Sequence, residues 1–188
     1  MKIVFAGTPQ FAVAPLKTLI SAGFEVASVL TQPDKPQGRK QSLTPSPVKL
    51  AAQEAGIPVL QPAKLKEDFS ALASVGADVM VTCAYGQILT QAVLDIFPKG
   101  VWNVHASLLP AYRGAAPIPR AIIEGETETG VTIMKTDVGL DTGDILFSRA
   151  IPIAETETCG TLSEKLSALG AEAIVQAVRQ IAQGNVTL

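Results

Sequence analysis

The chain has 188 residues, 47% hydrophobic and 17% charged, with a formal net charge of −2 and a mean hydropathy of +0.31. That length suits one compact domain with a sizeable core, and the charge excludes a global basic footprint, so any nucleic-acid contact has to come from a local patch. No run approaches the ~20 apolar residues of a bilayer span, no basic-then-apolar leader precedes Gly7, and Cys83 and Cys159 stand apart without zinc or redox spacing, which together point to a cytoplasmic protein with two buried, reduced thiols.

Residues 2–6 form a short apolar strand ending at Gly7, after which Thr8 and Pro9 read as the N-cap and first residue of a helix. Phe11, Leu16, Leu19 and Ile20 supply its apolar face up to Gly23. Residues 24–30 are the next strand. The stretch 31–47 holds Pro33, Pro36, Gly38, Pro45 and Pro47, which predicts an irregular loop. At about seventeen residues it exceeds the usual connection, as functional loops tend to do. A helix over 48–55, a short strand over 58–60, a helix over 69–75 and a central strand over 78–82 follow. A loop through Tyr85 and Gly86 comes next, then a strand over 100–104 that delivers His105. A helix over 115–123 tolerates Pro117 and Pro119 because they fall in its first turn, where backbone N–H groups lack partners anyway. Strands over 129–135 and 145–153 flank a glycine-punctuated loop at 137–144. Thr161 to Glu164 has capping-box form and opens a last helix with Leu162, Leu166, Leu169, Ala173, Ile174, Ala177 and Ile181 on one face, stopping at Gly184. Strands alternating with helices define an α/β fold, a doubly wound, mostly parallel sheet with helices on both faces. Burial on both faces also accounts for the continuous apolar runs.

His105 is the only histidine, so any imidazole chemistry uses that residue. In an extended segment side chains alternate faces, which puts Asn103, His105 and Ser107 on one side where a strand ends and a Pro-containing loop begins. Polar groups gathered at a strand end are what a reaction site on an α/β sheet requires. A lone histidine is more often a satisfied core residue; the Asn-x-His-x-Ser grouping and a Gly-flanked Asp141 favour a site instead. The turn after the first strand lacks both Gly-x-Gly-x-x-Gly and a Gly-Lys-Ser/Thr ending, which excludes dinucleotide and P-loop binding. Zinc needs three or four ligands and only one histidine is present, while Asp137, Asp141 and Asp144 do not have EF-hand spacing. No metal is expected. A Ser107–His105–Asp141 hydrolase is one reading, but Ser107 is not in a nucleophile elbow and its α-carbon would lie ~7 Å from that of His105 along a strand. The other reading uses all the polar groups. Asn103 and His105 donate to an oxyanion, His105 also moves protons, and Asp141 orients the imidazole and supports its charge. That is equipment for acyl or formyl transfer to an amine.

Asn103-Val104-His105, Ser107-Leu108-Leu109-Pro110 and Asp141-Thr142-Gly143-Asp144 resemble the folate-dependent formyltransferases. Within them, the chain is most similar to the members that act on methionyl initiator tRNA. The supporting segments are Phe5-Ala6-Gly7-Thr8-Pro9, Gln32-Pro33-Asp34-Lys35-Pro36, Pro45-Ser46-Pro47-Val48-Lys49, Arg113-Gly114-Ala115-Ala116-Pro117-Ile118 and Gly130-Val131-Thr132-Ile133-Met134. The resemblance spans nearly the whole chain. It implies formyl transfer from 10-formyltetrahydrofolate to the amino group of methionyl initiator tRNA, with Asn103, His105 and Asp141 catalytic. It implies that Ser107, Leu108, Leu109 and Pro110 form part of the tetrahydrofolate site, and that the loops at 85–87 and 138–141 hold the pterin through backbone groups. It also gives the 31–49 loop, with Lys35, Arg39, Lys40 and Lys49 against Asp34, a role at the tRNA acceptor end, Arg39 being the residue carried over. On the same ground residues 1–188 are a catalytic domain, acting as a monomer and away from membranes. The family's C-terminal tRNA-gripping domain is absent from these residues, which stop at Leu188 in what should be the linker, so that either this is a catalytic fragment or the protein works without that domain. Ala111 and Pro119 depart from the family pattern, the first removing one phosphate contact. The rivals are transfer from the same donor to a sugar or purine-precursor amine, transfer to water, or a binding module without activity.

Overall fold

The structure is a computed structural model that describes residues 1–37 and 41–187. Its frame is a seven-stranded sheet. In chain order the strands are β1 (Lys2–Gly7), β2 (Glu25–Leu30), β5 (Val59–Leu60), β6 (Val79–Cys83), β7 (Val101–His105), β8 (Glu128–Lys135) and β9 (Ile145–Pro152), with a separate ribbon of β3 (Lys35–Gln37) and β4 (Ser42–Thr44). The order across the main sheet is β5-β2-β1-β6-β7-β8-β9. β5, β2, β1, β6 and β7 run parallel, and β8 and β9 are added antiparallel. The expected doubly wound, mostly parallel sheet is therefore present.

Alternation along the strands divides the core into two layers. Ile3 and Phe5 of β1 join Val79, Val81, Trp102 and Val104 on one face. Val4 and Ala6 join Met80 and Val101 on the other. The first face is covered by α1 (Val13–Ser21), α2 (Pro47–Glu54) and α6 (Cys159–Gln183), and the second by residues of α3 (Ser70–Ala73) and α4 (Gln91–Leu94) with their flanks. All five residues of β6 are buried, as a strand covered on both faces requires. α6 lies so close to the sheet that a Cβ at Gly170 would meet Val104 Cγ1 at 2.9 Å. Among the described residues no helix is long and apolar enough to cross a membrane.

The chain order places the site. β1 leads to β2 and β5 on one side, and the chain then returns to lay β6 and β7 on the other. The strand order thus reverses between β1 and β6, where ligands enter open α/β sheets at the carboxyl ends of the strands. β6 ends at Cys83 and β7 at His105 along that edge.

Several local expectations change. The stretch 31–47 is not wholly irregular: β3 and β4 pair as an antiparallel ribbon, with Pro36 opposite Leu43. Both strands of a two-stranded ribbon are edges, so the missing N–H of proline need not break the ladder. The base of the ribbon is tied down. Lys49 Nζ donates to Asp34 Oδ2 at 2.7 Å, and Gln61 Nε2 donates to Asp34 Oδ1 at 2.8 Å. The bond from Lys49, then that from Gln61, holds the Asp34 carboxyl below the ordinary carboxylate range. Lys49 is thus paired rather than part of a basic surface. Thr8 does not cap a helix: its hydroxyl donates to the Tyr85 carbonyl at 2.8 Å, a single helical turn Gln10–Ala12 follows Pro9, and α1 starts at Val13. α6 begins a turn earlier than its expected Thr161 start, and its first residue, Cys159, is exposed where burial was expected, while Cys83 is buried. Thr158 is the N-cap, and Thr158 and Thr161 each accept the other's backbone N–H. Its end at left-handed Gly184 is as expected.

Candidate active site

β7 carries Asn103 and His105 to the open edge of the sheet, and both line a cavity of about 900 Å³. The remaining walls come from loops. They are Ala84 to Leu89 after β6, Gly114 to Pro119 around α5 (Pro117–Ile123), Thr136 to Asp141 after β8, and Phe11 with Cys159 and Ser163 at the start of α6. Much of this lining is apolar, and Ile88, Val138 and Leu140 are exposed within it.

The imidazole of His105 is 6% exposed and engaged at both nitrogens. Nε2 donates to the Tyr112 carbonyl at 3.0 Å, since a carbonyl can only accept. Nδ1 therefore faces Asp141, whose Oδ2 is 3.6 Å away, a charge contact longer than a hydrogen bond. The same Oδ2 accepts the Gly114 N–H at 2.7 Å, which fixes the carboxylate. Tyr112 is held in turn: its hydroxyl donates to Glu126 at 2.6 Å and the Arg120 guanidinium lies 5.0 Å from its ring centre. The bond to Glu126 pushes the phenol up to about 12. The Asn103 amide is set by Thr82, its register partner on β6, whose hydroxyl donates to Asn103 Oδ1 at 2.8 Å.

Backbone strain gathers here. Ala84, Ala116 and Asp141 line the cavity with φ of 51°, 56° and 51°, and Tyr112, whose carbonyl grips His105, has φ of 57°. Such left-handed non-glycine residues persist only where their surroundings over-determine them, and they cluster at functional sites.

Of the residues picked from sequence, Asn103, His105 and Asp141 come together at one cavity. Ser107 does not join them. β7 ends at His105, the alternation stops there, and the Ser107 hydroxyl turns to the Ala111 carbonyl at 2.6 Å. This removes the Ser107–His105–Asp141 nucleophile, because the hydroxyl and Nε2 are each committed to a different carbonyl. None of Ser107, Leu108, Leu109 and Pro110 lines the cavity. They form a turn tied to β8, in which Thr132 Oγ1 donates to the Ser107 carbonyl at 2.7 Å and accepts the Leu109 N–H at 3.1 Å, and the Leu109–Pro110 bond is cis. The loops at 85–87 and 138–141 do line it. Gln32 Nε2 anchors the first by donating to the carbonyls of Tyr85 and Gly86 at 3.1 and 3.0 Å, and the Gln87 side chain bonds Leu65 N and the Pro62 carbonyl. Arg39 and Lys40 lie outside the described residues. Sequence reasoning missed Thr82, although a hydroxyl in so apolar a strand is a signal. It also missed the Tyr112 carbonyl, for which no residue type could give a signal.

The cavity fits a partly polar small molecule: its size is that of a small-ligand site, its rim is apolar, and the buried Thr136 Oγ1 on its wall has no protein partner among the described residues. Among those residues no group of three or more His, Cys, Asp or Glu is placed to hold a metal. An amide and an imidazole on the wall of one cavity, with a carboxylate 3.6 Å from the ring, have the chemistry for group transfer through addition to a carbonyl.

Comparison with known proteins gives that class its name. Residues 1–178 match the formyl transferase family, and the chain belongs to it. It is 54% identical to a methionyl-tRNA formyltransferase of Marinobacter nauticus over 189 residues, covering all of this chain and 61% of the relative. It is 56% identical to a methionyl-tRNA formyltransferase of Chromobacterium violaceum, covering 96% of this chain and 60% of the relative. The chain thus spans about three-fifths of the length of these relatives. Glycinamide ribonucleotide transformylase 1 from Symbiobacterium toebii shares the fold, with a TM-score of 0.83 at 22% identity over 100% of this chain and 90% of that one.

Proposed function

We propose that this chain is the catalytic domain that moves the formyl group of 10-formyltetrahydrofolate onto the amino group of methionyl initiator tRNA, as a monomer in the cytoplasm. The observation that carries this reading is the meeting of Asn103, His105 and Asp141 at the wall of one cavity. The two relatives above half identity support the choice of acceptor.

10-Formyltetrahydrofolate supplies the formyl carbon, with its flat ring between the loops at 85–87 and 138–141. Ser107 to Pro110 form the turn after β7 that Thr132 ties to β8. Asn103 donates from Nδ2 to the oxygen of the carbonyl under attack. His105 can donate only from Nδ1, because Tyr112 occupies Nε2. Asp141 steadies the ring through the addition, the attacking amine gives up a proton to Nδ1, and His105 passes it to the folate nitrogen as the bond from that nitrogen to the formyl carbon breaks. One well-placed oxyanion donor is worth about 3–4 kcal/mol of barrier.

The test supplies 10-formyltetrahydrofolate with charged initiator tRNA, then with no acceptor, and follows the formyl carbon. Formylmethionyl-tRNA is expected in the first case and no formate in the second. Formate without an acceptor identifies a hydrolase and overturns the reading. Arg39 enters on sequence grounds as a contact to the acceptor end. Arg39→Ala is expected to raise KM for tRNA and reduce the salt slope by about one unit, with the KM for the folate unchanged. Identical tRNA kinetics removes Arg39 from the mechanism.

A further inference from the structure

Oxyanion stabilisation by Asn103 requires its NH₂ group, not its carbonyl, to face the substrate. An asparagine amide is nearly symmetric in shape, so packing alone does not choose between the two orientations. We propose that Thr82 makes that choice, as a positioning residue whose hydroxyl pins Asn103 Oδ1 and thereby aims Nδ2 into the cavity. The proposal rests on the formyl-transfer reading above.

β6 reads Val79-Met80-Val81-Thr82-Cys83 and is buried throughout. A hydroxyl in that setting is costly unless it has a partner. Valine, its near-isostere, would serve the packing equally well. The hydroxyl has two acceptors in reach, Asn103 Oδ1 at 2.8 Å and the Trp102 carbonyl at 3.5 Å. It has one proton, which the shorter contact to Oδ1 takes, whereas a flipped amide donating to Oγ1 would leave that proton only the 3.5 Å contact to Trp102. Thr82 and Asn103 are register partners on adjacent parallel strands, so the contact is built into the sheet rather than into a mobile loop. Once Oδ1 is held, Nδ2 has no protein partner among the described residues, and Asn103 itself lines the cavity. Both donors are left for a ligand. Without the hydroxyl the amide can rotate and present its carbonyl to a developing negative charge.

Thr82→Val tests this. It is expected to lower kcat by about tenfold, the weight of one neutral hydrogen bond, without changing KM for the folate. Thr82→Ser keeps the hydroxyl and is expected to retain most of the rate. In an Asn103→Ala background Thr82→Val should cost nothing further, since the two act as a unit. A second readout needs no turnover. The chain has only two asparagines, Asn103 and Asn185, so asparagine-selective ¹⁵N labelling gives two side-chain NH₂ pairs, of which only that of Asn103 should shift in Thr82→Val. A wild-type kcat or an unmoved Asn103 NH₂ pair in Thr82→Val overturns the proposal, as does an equal loss on top of Asn103→Ala. A silent Asn103→Ala instead overturns the formyl-transfer assignment of that residue, and the role of Thr82 falls with it.

Discussion

Alanine at His105 is expected to reduce formyl transfer by about 10²–10⁴-fold, the range for loss of a positioned acid or base. The ring meets the Tyr112 carbonyl at Nε2 and the Asp141 carboxylate beyond Nδ1, and it lines the cavity together with Asp141. Truncation leaves a buried carbonyl without its donor, which costs about 1–3 kcal/mol. A domain of ordinary stability, about 5–15 kcal/mol, stays folded after that loss. Rate should therefore collapse while circular dichroism at 25 °C still reports native secondary structure. Asp141→Asn separates charge from geometry. Asparagine retains an oxygen for the Gly114 N–H but removes the negative charge 3.6 Å from Nδ1, and a fall of about 10²-fold is expected. The double variant should be little worse than His105→Ala alone, because the pair acts as one device. A His105→Ala enzyme with near-normal single-turnover rates would remove the imidazole from the chemistry.

The second large effect is expected at Gly143, which contacts no substrate in the proposed reaction. A Cβ there would lie 1.8 Å from the Lys135 carbonyl oxygen and 3.0 Å from its carbon. The obstacle is backbone at the end of β8, where the Lys135 N–H donates to the Asp144 carbonyl at 2.8 Å and closes the turn. Alanine must displace the 137–144 loop, and Asp141 moves with it. A misplacement of 1 Å in a catalytic constellation can cost about 10²-fold in rate, whereas overpacking costs about 1–3 kcal/mol of stability. Gly143→Ala is therefore expected to lose far more activity than its melting temperature suggests. Gly160 is a useful comparison, since its added Cβ would meet only Thr158 Oγ1 at 3.8 Å, an ordinary contact. A Gly143→Ala enzyme with wild-type kcat would show that the loop does not need its observed path.

The parallel sheet was legible because strands buried on both faces are apolar along most of their length, as residues 3–6 of β1 and all of β6 but Thr82 are. Asn103 and His105 were legible because two-residue alternation holds along β7. The same rule failed one step later at Ser107, where the strand had ended. The ribbon at 35–44 was hidden because proline is weighed as a breaker, while an edge pair without neighbours tolerates it. α4 has only four residues, too few to show a helical period. The grip on His105 comes from a main-chain carbonyl, and such a group has no identity to read in a sequence. Asp141 was found by its glycine neighbours, yet its distance to Nδ1 depends on the Gly114 amide and a left-handed turn that only the folded chain specifies.

Ala84 and Ala116 carry side chains at backbone angles that glycine adopts freely. A search for hardier versions of this domain would relax these positions early, since each left-handed alanine forgoes about 1 kcal/mol. Both sit on the rim of the cleft, so softening them lets the opening sample shapes that grip the reactants poorly. Heat tolerance and turnover are set against each other along that rim, and variants selected for endurance alone should drift towards slower catalysis.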